Sequence, residues 1–246
     1  MARRCACRDV SGQIVQYPTL AAAIAAEKTC WHSGVESLSI WSSGQGLCVP
    51  ASYRSAHHFL DASAVMERRH WPVVVRSTGG GCVPQGPGIV NLTWMPGPAL
   101  SGTGIAGLYD TFAATLIRAM GEIGIQATRH SPSGAWCQGR HDICSNGRKI
   151  AGISQRRIIG APNLALIHAA ILMDCDLDFC FSEMELFLRT AGCAEHPLRG
   201  AATTMATETL LSASDNARQL SLFIRTVVMA LSPIERLNDL SNSHKT

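Results

Sequence analysis

The sequence predicts a single α+β domain whose central sheet is largely antiparallel. Apolar residues recur every three or four positions from Ile105 to Ile123, which is typical of a long helix lying on a sheet. Short apolar runs bounded by turn residues occur on both sides of this helix, as expected for strands. Asn146-Gly147 lies between two such runs and is a strong short-range signal for an antiparallel hairpin. Because helices and strands are mixed without a repeat or a linker, one domain is expected.

The other elements follow from local patterns of apolar, turn and capping residues. Glu27 is expected to be solvated on the first helix, and His168 to be a hydrogen-bonded core histidine. Residues 1–237 are predicted to form the catalytic domain and residues 238–246 a disordered polar tail. The predicted elements are a helix at 19–31, strands at 37–41 and 47–49 paired as a hairpin, a helix within 55–69, strands at 72–75 and 89–94, a strand from 125, hairpin strands at 142–144 and 149–155, a strand at 164–173, a short helix near 186 and a last helix at 215–231.

The composition excludes several classes of protein. The 246 residues are 46% hydrophobic and 16% charged, as in an ordinary globular protein. A net charge of +3, without a basic patch that includes aromatic residues, argues against a nucleic-acid partner. No run approaches the ~20 apolar residues of a membrane span, and the N-terminus lacks a secretory apolar stretch, so a cytoplasmic location is predicted. The ten cysteines include no Cys-x-x-Cys pair, so reduced thiols and no metal site are expected.

Residues 76–91 are the part of the chain that most strongly suggests a ligand. The run Arg76-Ser-Thr-Gly79-Gly80-Gly81 follows a predicted strand. Three consecutive glycines allow a sharp turn and let a ligand lie against the backbone, where successive N–H groups can bind an anion. Arg76 is expected to add a positive fork for the same anion. The alternative is a glycine-rich hairpin that binds nothing.

Four residues further along the chain are candidates for chemistry. Lys149 and Asp142 face each other across the predicted hairpin, so an ammonium and a carboxylate can meet beside one ligand. Cys137 lies in a loop rich in glycine and serine, and Cys193 follows a glycine in another loop. A thiol beside a cation can act as a nucleophile at neutral pH. The alternatives are a surface ion pair, worth under ~1 kcal/mol, and two buried thiols without a catalytic role.

Three motifs together resemble the superfamily of lipoate–protein ligases, octanoyltransferases and biotin–protein ligases. They are Arg76-Ser-Thr-Gly-Gly-Gly81, Gly139-Arg-His-Asp-Ile143 and Gly147-Arg-Lys-Ile-Ala-Gly152, and His168-Ala-Ala-Ile-Leu172 extends the resemblance to residues 18–230. The resemblance implies an enzyme that attaches a lipoyl or octanoyl group to a specific lysine of a small carrier domain. That carrier would belong to a dehydrogenase acyltransferase subunit or be the glycine cleavage carrier. The residues expected to bind substrate are Arg76, Thr78, Gly79, Gly80, Gly81, Asp142, Gly152 and Ser154, with Lys149 contacting the acyl carbonyl or a phosphate.

The resemblance leaves three forms of this activity open. A ligase would activate lipoate with ATP and Mg²⁺, with Asp142 helping to position the nucleotide; Gly139-Arg-His-Asp142 favours this form. A ligase of this length would also be expected to use a separate accessory domain. A transferase needs no cofactor and would move octanoate from acyl carrier protein through a thioester on Cys193 or Cys137, with Lys149 as the base for Cys193. A relative that only binds the acyl chain or its carrier is favoured by Gln85, which stands where the family usually has histidine. Biotin ligation is not implied, because a Gly-Arg-Gly-Arg-x-Gly loop is absent.

Overall fold

A computed structural model of the chain describes residues 13–96, 104–157, 164–194, 197–209 and 213–231, with the backbone alone given for 213–217. Helices and strands alternate irregularly along the described chain. The strands are β1 Val15–Tyr17, β2 Ser37–Ser43, β3 Gly46–Pro50, β4 Val73–Arg76, β5 Val83–Gln85, β6 Ile89–Met95, β7 Ala127–Arg129, β8 Ile143–Ser145, β9 Arg148–Arg157 and β10 Ala165–Leu172. The α-helices are α1 Leu20–Ser33, α2 Phe59–Arg68, α3 Gly104–Glu122, α4 Leu177–Ala191, α5 Met205–Thr209 and α6 Ala213–Leu231.

The strands form two sheets, and the predicted α+β class is confirmed. The larger sheet has seven strands in the order β1-β2-β6-β10-β9-β8-β7, and only its β1–β2 pair is parallel. The smaller sheet has the order β4-β3-β5, with β3 parallel to β4 and antiparallel to β5. The predicted antiparallel hairpin around Asn146-Gly147 joins β8 to β9, and both residues have the positive φ that such a turn requires.

Two apolar cores hold the sheets to the helices. Helices α3 and α6 pack on one face of the seven-stranded sheet, where Phe112 of α3 stacks on Trp94 at 6.1 Å between ring centroids. A second core joins the small sheet to α2 and α4 and includes Met66 and Phe187. The opposite face of the large sheet is left for the candidate site, because side chains alternate between the two faces of a strand.

Two predicted elements differ from the structure. The hairpin predicted between residues 37–41 and 47–49 is wrong, because β2 lies in the large sheet beside β6 while β3 lies in the small sheet. The chain crosses between the sheets at Gly44 and Gly46, where an added Cβ would lie 2.6 Å from the Pro18 carbonyl and 2.7 Å from the Pro72 carbonyl. Both glycines therefore serve close backbone contacts rather than a tight turn. The short helix predicted near residue 186 is the 15-residue helix α4.

Some expectations concern parts of the chain outside this description. Cys5, Cys7 and the tail from residue 238 lie outside the described residues. Within the described residues, none of the helices has the length and apolar character required to cross a bilayer.

Candidate functional site

Two rows of cross-strand neighbours form the floor of the candidate site on the free face of the large sheet. In the first row, Asn91 on β6 pairs with Trp41 on β2 and with Ala170 on β10, which in turn pairs with Gly152 on β9. In the second row, His168 on β10 pairs with Thr93 on β6 and with Ser154 on β9. Polar side chains thus sit on one face of strands whose other face is apolar, and the register of the sheet brings them together.

A mostly apolar cleft, here called the sheet-side cleft, lies over this floor. It encloses about 480 Å³ when the space at its open mouth is included. Its apolar walls include Ile24, Trp41, Val83, Trp136, Ile153 and Ala170. Gln85 and Asn91 also line it and form a reciprocal amide pair, with N–O distances of 3.1 and 2.7 Å. Because each amide satisfies the other, the cleft can bury apolar surface without leaving these two groups unpaired.

Cys137 lies where the sheet-side cleft meets a second, more open cleft. The second cleft, here called the outer cleft, encloses about 760 Å³ and is lined by Gly80, Gly81, Ala135, Met184, Leu188 and Pro197 together with Cys137. The sulfur of Cys137 accepts a hydrogen bond from the Gly81 N–H at 2.9 Å. Cys137 has a φ of 43°, a left-handed conformation that is unfavourable for residues other than glycine. Such an outlier at a cleft junction indicates that the surrounding contacts impose the conformation.

Lys149 is the main contact that holds the Cys137 segment in place. Its Nζ donates to the carbonyl oxygens of Trp136 and Cys137, both at 2.8 Å, and forms an ion pair with Asp142 Oδ1 at 2.9 Å. These three partners use all three N–H groups of the ammonium. The side chain is 0% exposed and lies 4.1 Å from the centre of the Trp136 ring. The predicted pairing with Asp142 is therefore present, but the alternative of a surface ion pair is wrong, and the ammonium is engaged by the protein itself.

Asp142 is held from both of its carboxylate oxygens. Oδ1 faces Lys149, while Oδ2 accepts from the Gly139 N–H at 2.9 Å and from Ser131 at 3.2 Å. Burial raises the pKa of Asp142 above its usual value, against the opposing effects of Lys149 and these hydrogen bonds. Asp142 is 1% exposed, so its oxygens contact protein groups rather than the clefts.

Gly152 makes room for this arrangement beneath the cleft. A Cβ at this position would lie 3.2 Å from both Cε and Nζ of Lys149. The backbone of Gly152 lines the sheet-side cleft itself. The absence of a side chain here therefore lets Lys149 lie directly under the cleft floor.

The glycine loop at residues 79–81 is organised by Arg76, which differs from the predicted anion-binding fork. The Arg76 guanidinium donates to the carbonyl oxygens of Cys48, Gly79 and Gly81 at 2.5, 2.9 and 2.8 Å. Gly80 has a φ of 103°, and a Cβ there would lie 2.9 Å from the Cys137 sulfur. The carbonyls turn towards Arg76 while the Gly81 N–H turns towards Cys137, because the loop has no side chains to prevent the close approach.

Thr78 and Ser154 fasten the loop to the sheet. Ser154 donates to the Gly79 carbonyl at 3.1 Å, and the Thr78 hydroxyl lies 2.9 Å from His168 Nε2. His168 Nδ1 lies 3.2 Å from Glu27 Oε2, so the hydrogen-bonded histidine predicted from the sequence is present. Glu27, however, is only 7% exposed, and the expectation that it is solvated is wrong. Helix α1 packs with this carboxylate facing the sheet, where Thr93 also donates to it at 2.8 Å.

The structure separates the two candidate cysteines. Cys137 is at the glycine loop, whereas Cys193 follows the C-terminal cap of α4 and packs against the second core, with its N–H donating to the Leu188 carbonyl. Cys82 is buried, as expected for a residue that packs inward. The sequence interpretation did not identify Trp41, Asn91 or Trp136 as site residues. Asn91 carried a signal, since a polar residue in the run Ile-Val-Asn-Leu-Thr-Trp marks a face that is not core.

The chain matches the model of one known protein family. The family model described as "Lipoyl protein ligase A/B catalytic domain" matches residues 52–209, which include the glycine loop, Cys137, Lys149 and His168. The match covers more than half of the chain and therefore defines its family.

Relatives with curated names cover part of the chain. An "Octanoyl-[GcvH]:protein N-octanoyltransferase" of Kyrpidia tusciae is 30% identical over 141 residues, 54% of this chain and 48% of the relative. A "Lipoyl-[GcvH]:protein N-lipoyltransferase" of Listeria monocytogenes is 36% identical over 99 residues, 39% of this chain and 34% of the relative. The matches thus span about half or less of the length of these two relatives.

Solved structures share the fold at low sequence identity. Lipoate-protein ligase A bound with ATP has a TM-score of 0.60 at 17% identity, with 87% of this chain and 86% of the other covered. Ta0514, a putative lipoate protein ligase from T. acidophilum, has a TM-score of 0.64 at 16% identity, with 87% and 83% covered. Together with the family match, this shared architecture shows that the chain belongs to the family of lipoyl protein ligase A/B catalytic domains.

Proposed function

We propose that this protein transfers an octanoyl or lipoyl group to a lysine amine of a lipoyl carrier domain, through a thioester on Cys137. The observation that carries the proposal is the position of the Cys137 sulfur, at the junction of the two clefts and 2.9 Å from the Gly81 amide nitrogen. The names of the Kyrpidia and Listeria relatives support transfer between an acylated GcvH carrier and a second protein. A GcvH-type carrier is therefore the proposed donor, and acyl carrier protein is the alternative.

The acyl chain is proposed to occupy the sheet-side cleft. A saturated chain of eight carbons gains stability by burying its CH₂ groups, each worth about 0.8 kcal/mol, against walls such as Ile24, Val83 and Trp136. The carbonyl end of the chain would then lie at the Cys137 end of the cleft. The outer cleft, on the other side of the sulfur, would admit the lysine arm of the carrier.

The chemistry follows from a thiolate at this junction. The Cys137 thiolate attacks the carbonyl carbon of the donor's acyl-lysine, the C–N bond breaks, and the donor nitrogen leaves as an amine after taking up a proton. The neutral acceptor amine then attacks the thioester, a C–N bond forms, its nitrogen gives up one proton, which balances the proton taken up by the donor nitrogen, and the C–S bond breaks to restore the thiolate. The Gly81 N–H is suited to stabilise negative charge on the sulfur, because a hydrogen bond to the charged form favours that form.

Lys149 acts in this proposal through the position of Cys137. Its two bonds to the carbonyls of Trp136 and Cys137 hold the segment in the left-handed conformation that points the sulfur at Gly81. Since all three of its N–H groups have protein partners, Lys149 is a positioning residue rather than a base for a distant thiol. It packs beneath the site, and Cys193 lies elsewhere.

This proposal departs from the ligase form that Gly139-Arg-His-Asp142 favours in the sequence. A ligase would need Asp142 to help hold Mg-ATP, yet both oxygens of this buried carboxylate are engaged by Lys149, Gly139 and Ser131. Holding the cation would require breaking a buried ion pair, which is strongly unfavourable. The residues present do not fit that role in this conformation.

An adduct experiment tests the proposal. The protein is incubated with octanoylated GcvH and an apo lipoyl domain without ATP, and both proteins are weighed by intact mass spectrometry. We expect an octanoyl adduct on Cys137 and transfer to the lipoyl domain. Cys137→Ala should lose both, while Cys193→Ser, the matched control at the other candidate, should retain both. Transfer that requires ATP and survives in Cys137→Ala would refute the thioester route and support the ligase form. Transfer that occurs from octanoyl acyl carrier protein but not from octanoylated GcvH would identify acyl carrier protein as the donor.

A further inference from the structure

A chain of buried hydrogen bonds runs from helix α1 to the glycine loop. Glu27 Oε2 lies 3.2 Å from His168 Nδ1, and His168 Nε2 lies 2.9 Å from the Thr78 hydroxyl. Thr93 donates to Glu27 at 2.8 Å and itself accepts from Trp41 Nε1 at 3.0 Å. Glu27 and Thr78 are buried, whereas the edge of His168 reaches the sheet-side cleft that Cys137 also lines. A buried carboxylate is costly unless its oxygens are hydrogen-bonded, and here His168 and Thr93 contact Glu27 Oε2.

The partners of the imidazole fix where it can take up a proton. Burial alone would raise the pKa of Glu27, but the charge of His168 and hydrogen bonds from His168 and Thr93 outweigh it, so this pKa lies below its usual value. An ionised carboxylate at Nδ1 places the ring proton on Nδ1 in the neutral histidine. Nε2 then has a free lone pair, which the Thr78 hydroxyl can face as a donor.

His168 lies beside the glycine loop, at the floor of the sheet-side cleft that Cys137 also lines. Its cross-strand neighbour Ser154 binds the Gly79 carbonyl, and its partner Thr78 immediately precedes the glycine loop. The ring therefore lies beside the loop against which the acyl carbonyl is proposed to rest. The other charged or thiol groups that line this cleft are Arg76, which is engaged by three carbonyls, the buried thiol of Cys48, and Cys137.

We propose that His168, oriented by Glu27, is the general acid and base that carries the proton of the substrate lysine nitrogens. This inference rests on the thioester function proposed above and adds a residue to it. In the first half-reaction, the donor lysine nitrogen takes the place of the Thr78 hydroxyl at Nε2, and the imidazolium gives it the Nε2 proton as the C–N bond breaks. In the second, neutral His168 takes a proton from the acceptor nitrogen as the new C–N bond forms and the C–S bond breaks, leaving the Cys137 thiolate. The enzyme returns to its initial protonation state, and one proton has moved from acceptor to donor nitrogen.

A proton-transfer role of His168 can be separated from a structural one by replacing the lysine nitrogen, as leaving group or as nucleophile, with a group that needs no proton transfer from His168. A thiolate leaving group needs no proton, so loading of Cys137 from S-octanoyl-N-acetylcysteamine does not require His168. Hydroxylamine is unprotonated at neutral pH, whereas lysine, with a pKa near ~10.4, is almost fully protonated. Hydroxylamine attack on the thioester is therefore much less dependent on a base.

The experiment compares the parent protein with His168→Gln and Glu27→Gln. In His168→Gln, two steps involve a lysine nitrogen: loading of Cys137 from octanoylated GcvH and transfer to a lipoyl domain. We expect the rates of these two steps to fall roughly 10²-fold more than the rate of loading from the small thioester, which is the usual scale of general acid–base catalysis. Hydroxylamine should recover most of the transfer defect. Glu27→Gln, which keeps the shape of the side chain but not its charge, should show the same pattern with a smaller ratio. His57→Gln, an exposed histidine before α2, is the matched control and should behave as the parent does.

Three outcomes decide between the ideas. The four rates are loading from octanoylated GcvH, loading from the small thioester, transfer to a lipoyl domain and transfer to hydroxylamine. Equal losses in all four would assign His168 a structural role and overturn this inference while leaving the thioester function in place. Should His168→Gln fail to fold, the same comparison with Glu27→Gln decides. A parent protein that never forms an adduct on Cys137 would remove the proposed function, and this inference with it.

Discussion

Replacing Lys149 with methionine should both destabilise the domain and misplace Cys137. Methionine is unbranched and of similar length, so it fills the space without the charge. The change leaves Asp142 buried without its counter-ion, and removing one partner of such a pair typically costs about 3–5 kcal/mol. The carbonyls of Trp136 and Cys137 lose their donor as well, but this loop can relax and reduce that cost. We therefore expect the free energy of unfolding to fall by about 4 kcal/mol in total. In a chain of this size, that corresponds to a fall in Tm of about 10 °C.

The assay is urea unfolding of the parent and the variant, with loading of Cys137 from S-octanoyl-N-acetylcysteamine measured in parallel. The double variant Lys149→Met/Asp142→Asn should recover at least half of the lost stability, because it removes the orphaned charge. It should not recover loading, because the donor to the Cys137 carbonyl is still absent. Arg199→Met is the control, since the Arg199–Asp178 pair is exposed and its loss should cost well under ~1 kcal/mol.

The pH dependence of the Lys149→Met effect has a defined sign. Burial already raises the pKa of Asp142, and the loss of Lys149 removes the strongest opposing effect, so this pKa should rise further. A raised pKa in the folded state means that the folded protein binds the proton more tightly, so stability is greater at low pH and falls as pH rises. The destabilisation should therefore be larger at pH 8 than at pH 5. An unfolding free energy equal to that of the parent, or a double variant as unstable as the single one, would refute the reasoning about the buried pair.

The remaining predictions concern the glycine loop and a second buried carboxylate. Gly80→Ala should abolish loading of Cys137, because the added Cβ would lie 2.9 Å from the Cys137 sulfur in a backbone conformation unsuited to alanine. The control Gly79→Ala, with open space around its Cβ, should load normally. Equal loading rates in the two variants would show that the loop does not constrain the sulfur. Burial tends to raise the pKa of Glu208, but hydrogen bonds from neighbours including Ser145 and the charge of Arg148 hold this pKa below its usual value. The contribution of Glu208 to the stability of the fold is therefore present above pH ~4.5 and is lost as pH falls through the lowered pKa. In urea unfolding, Glu208→Gln should thus be less stable than the parent by about 1–3 kcal/mol at pH 7, and this difference should shrink below pH 4. The exposed control Glu185→Gln should differ little from the parent at either pH. A loss of stability in Glu208→Gln that does not depend on pH would contradict the lowered pKa.

Much of the secondary structure could be predicted because it is recorded in short-range patterns. The stripe from Ile105 to Ile123 reports helix α3, and Asn146-Gly147 reports the β8–β9 hairpin. Leu20, Ile24 and Trp31 recur on one face and likewise report helix α1, which was placed within two residues of its observed ends. The hairpin predicted between β2 and β3 was wrong, since strands with similar composition can join different sheets and the choice depends on distant partners.

The sequence by itself determined the fold class, the family resemblance and some of the polar residues from which the site is built, among them Arg76, Cys137 and Lys149. Only the tertiary structure decided how those residues are used. Arg76 and Lys149 were expected from the sequence to contact a ligand, but folding surrounds both with backbone carbonyls, and buried donors must be satisfied within the protein. Cys137 and Cys193 are similar in local context, but only Cys137 meets the glycine loop. Glu27 resembles a solvated helix residue until β10, 141 residues away, places His168 against it, because such contacts depend on strand register and helix packing rather than on any neighbouring sequence.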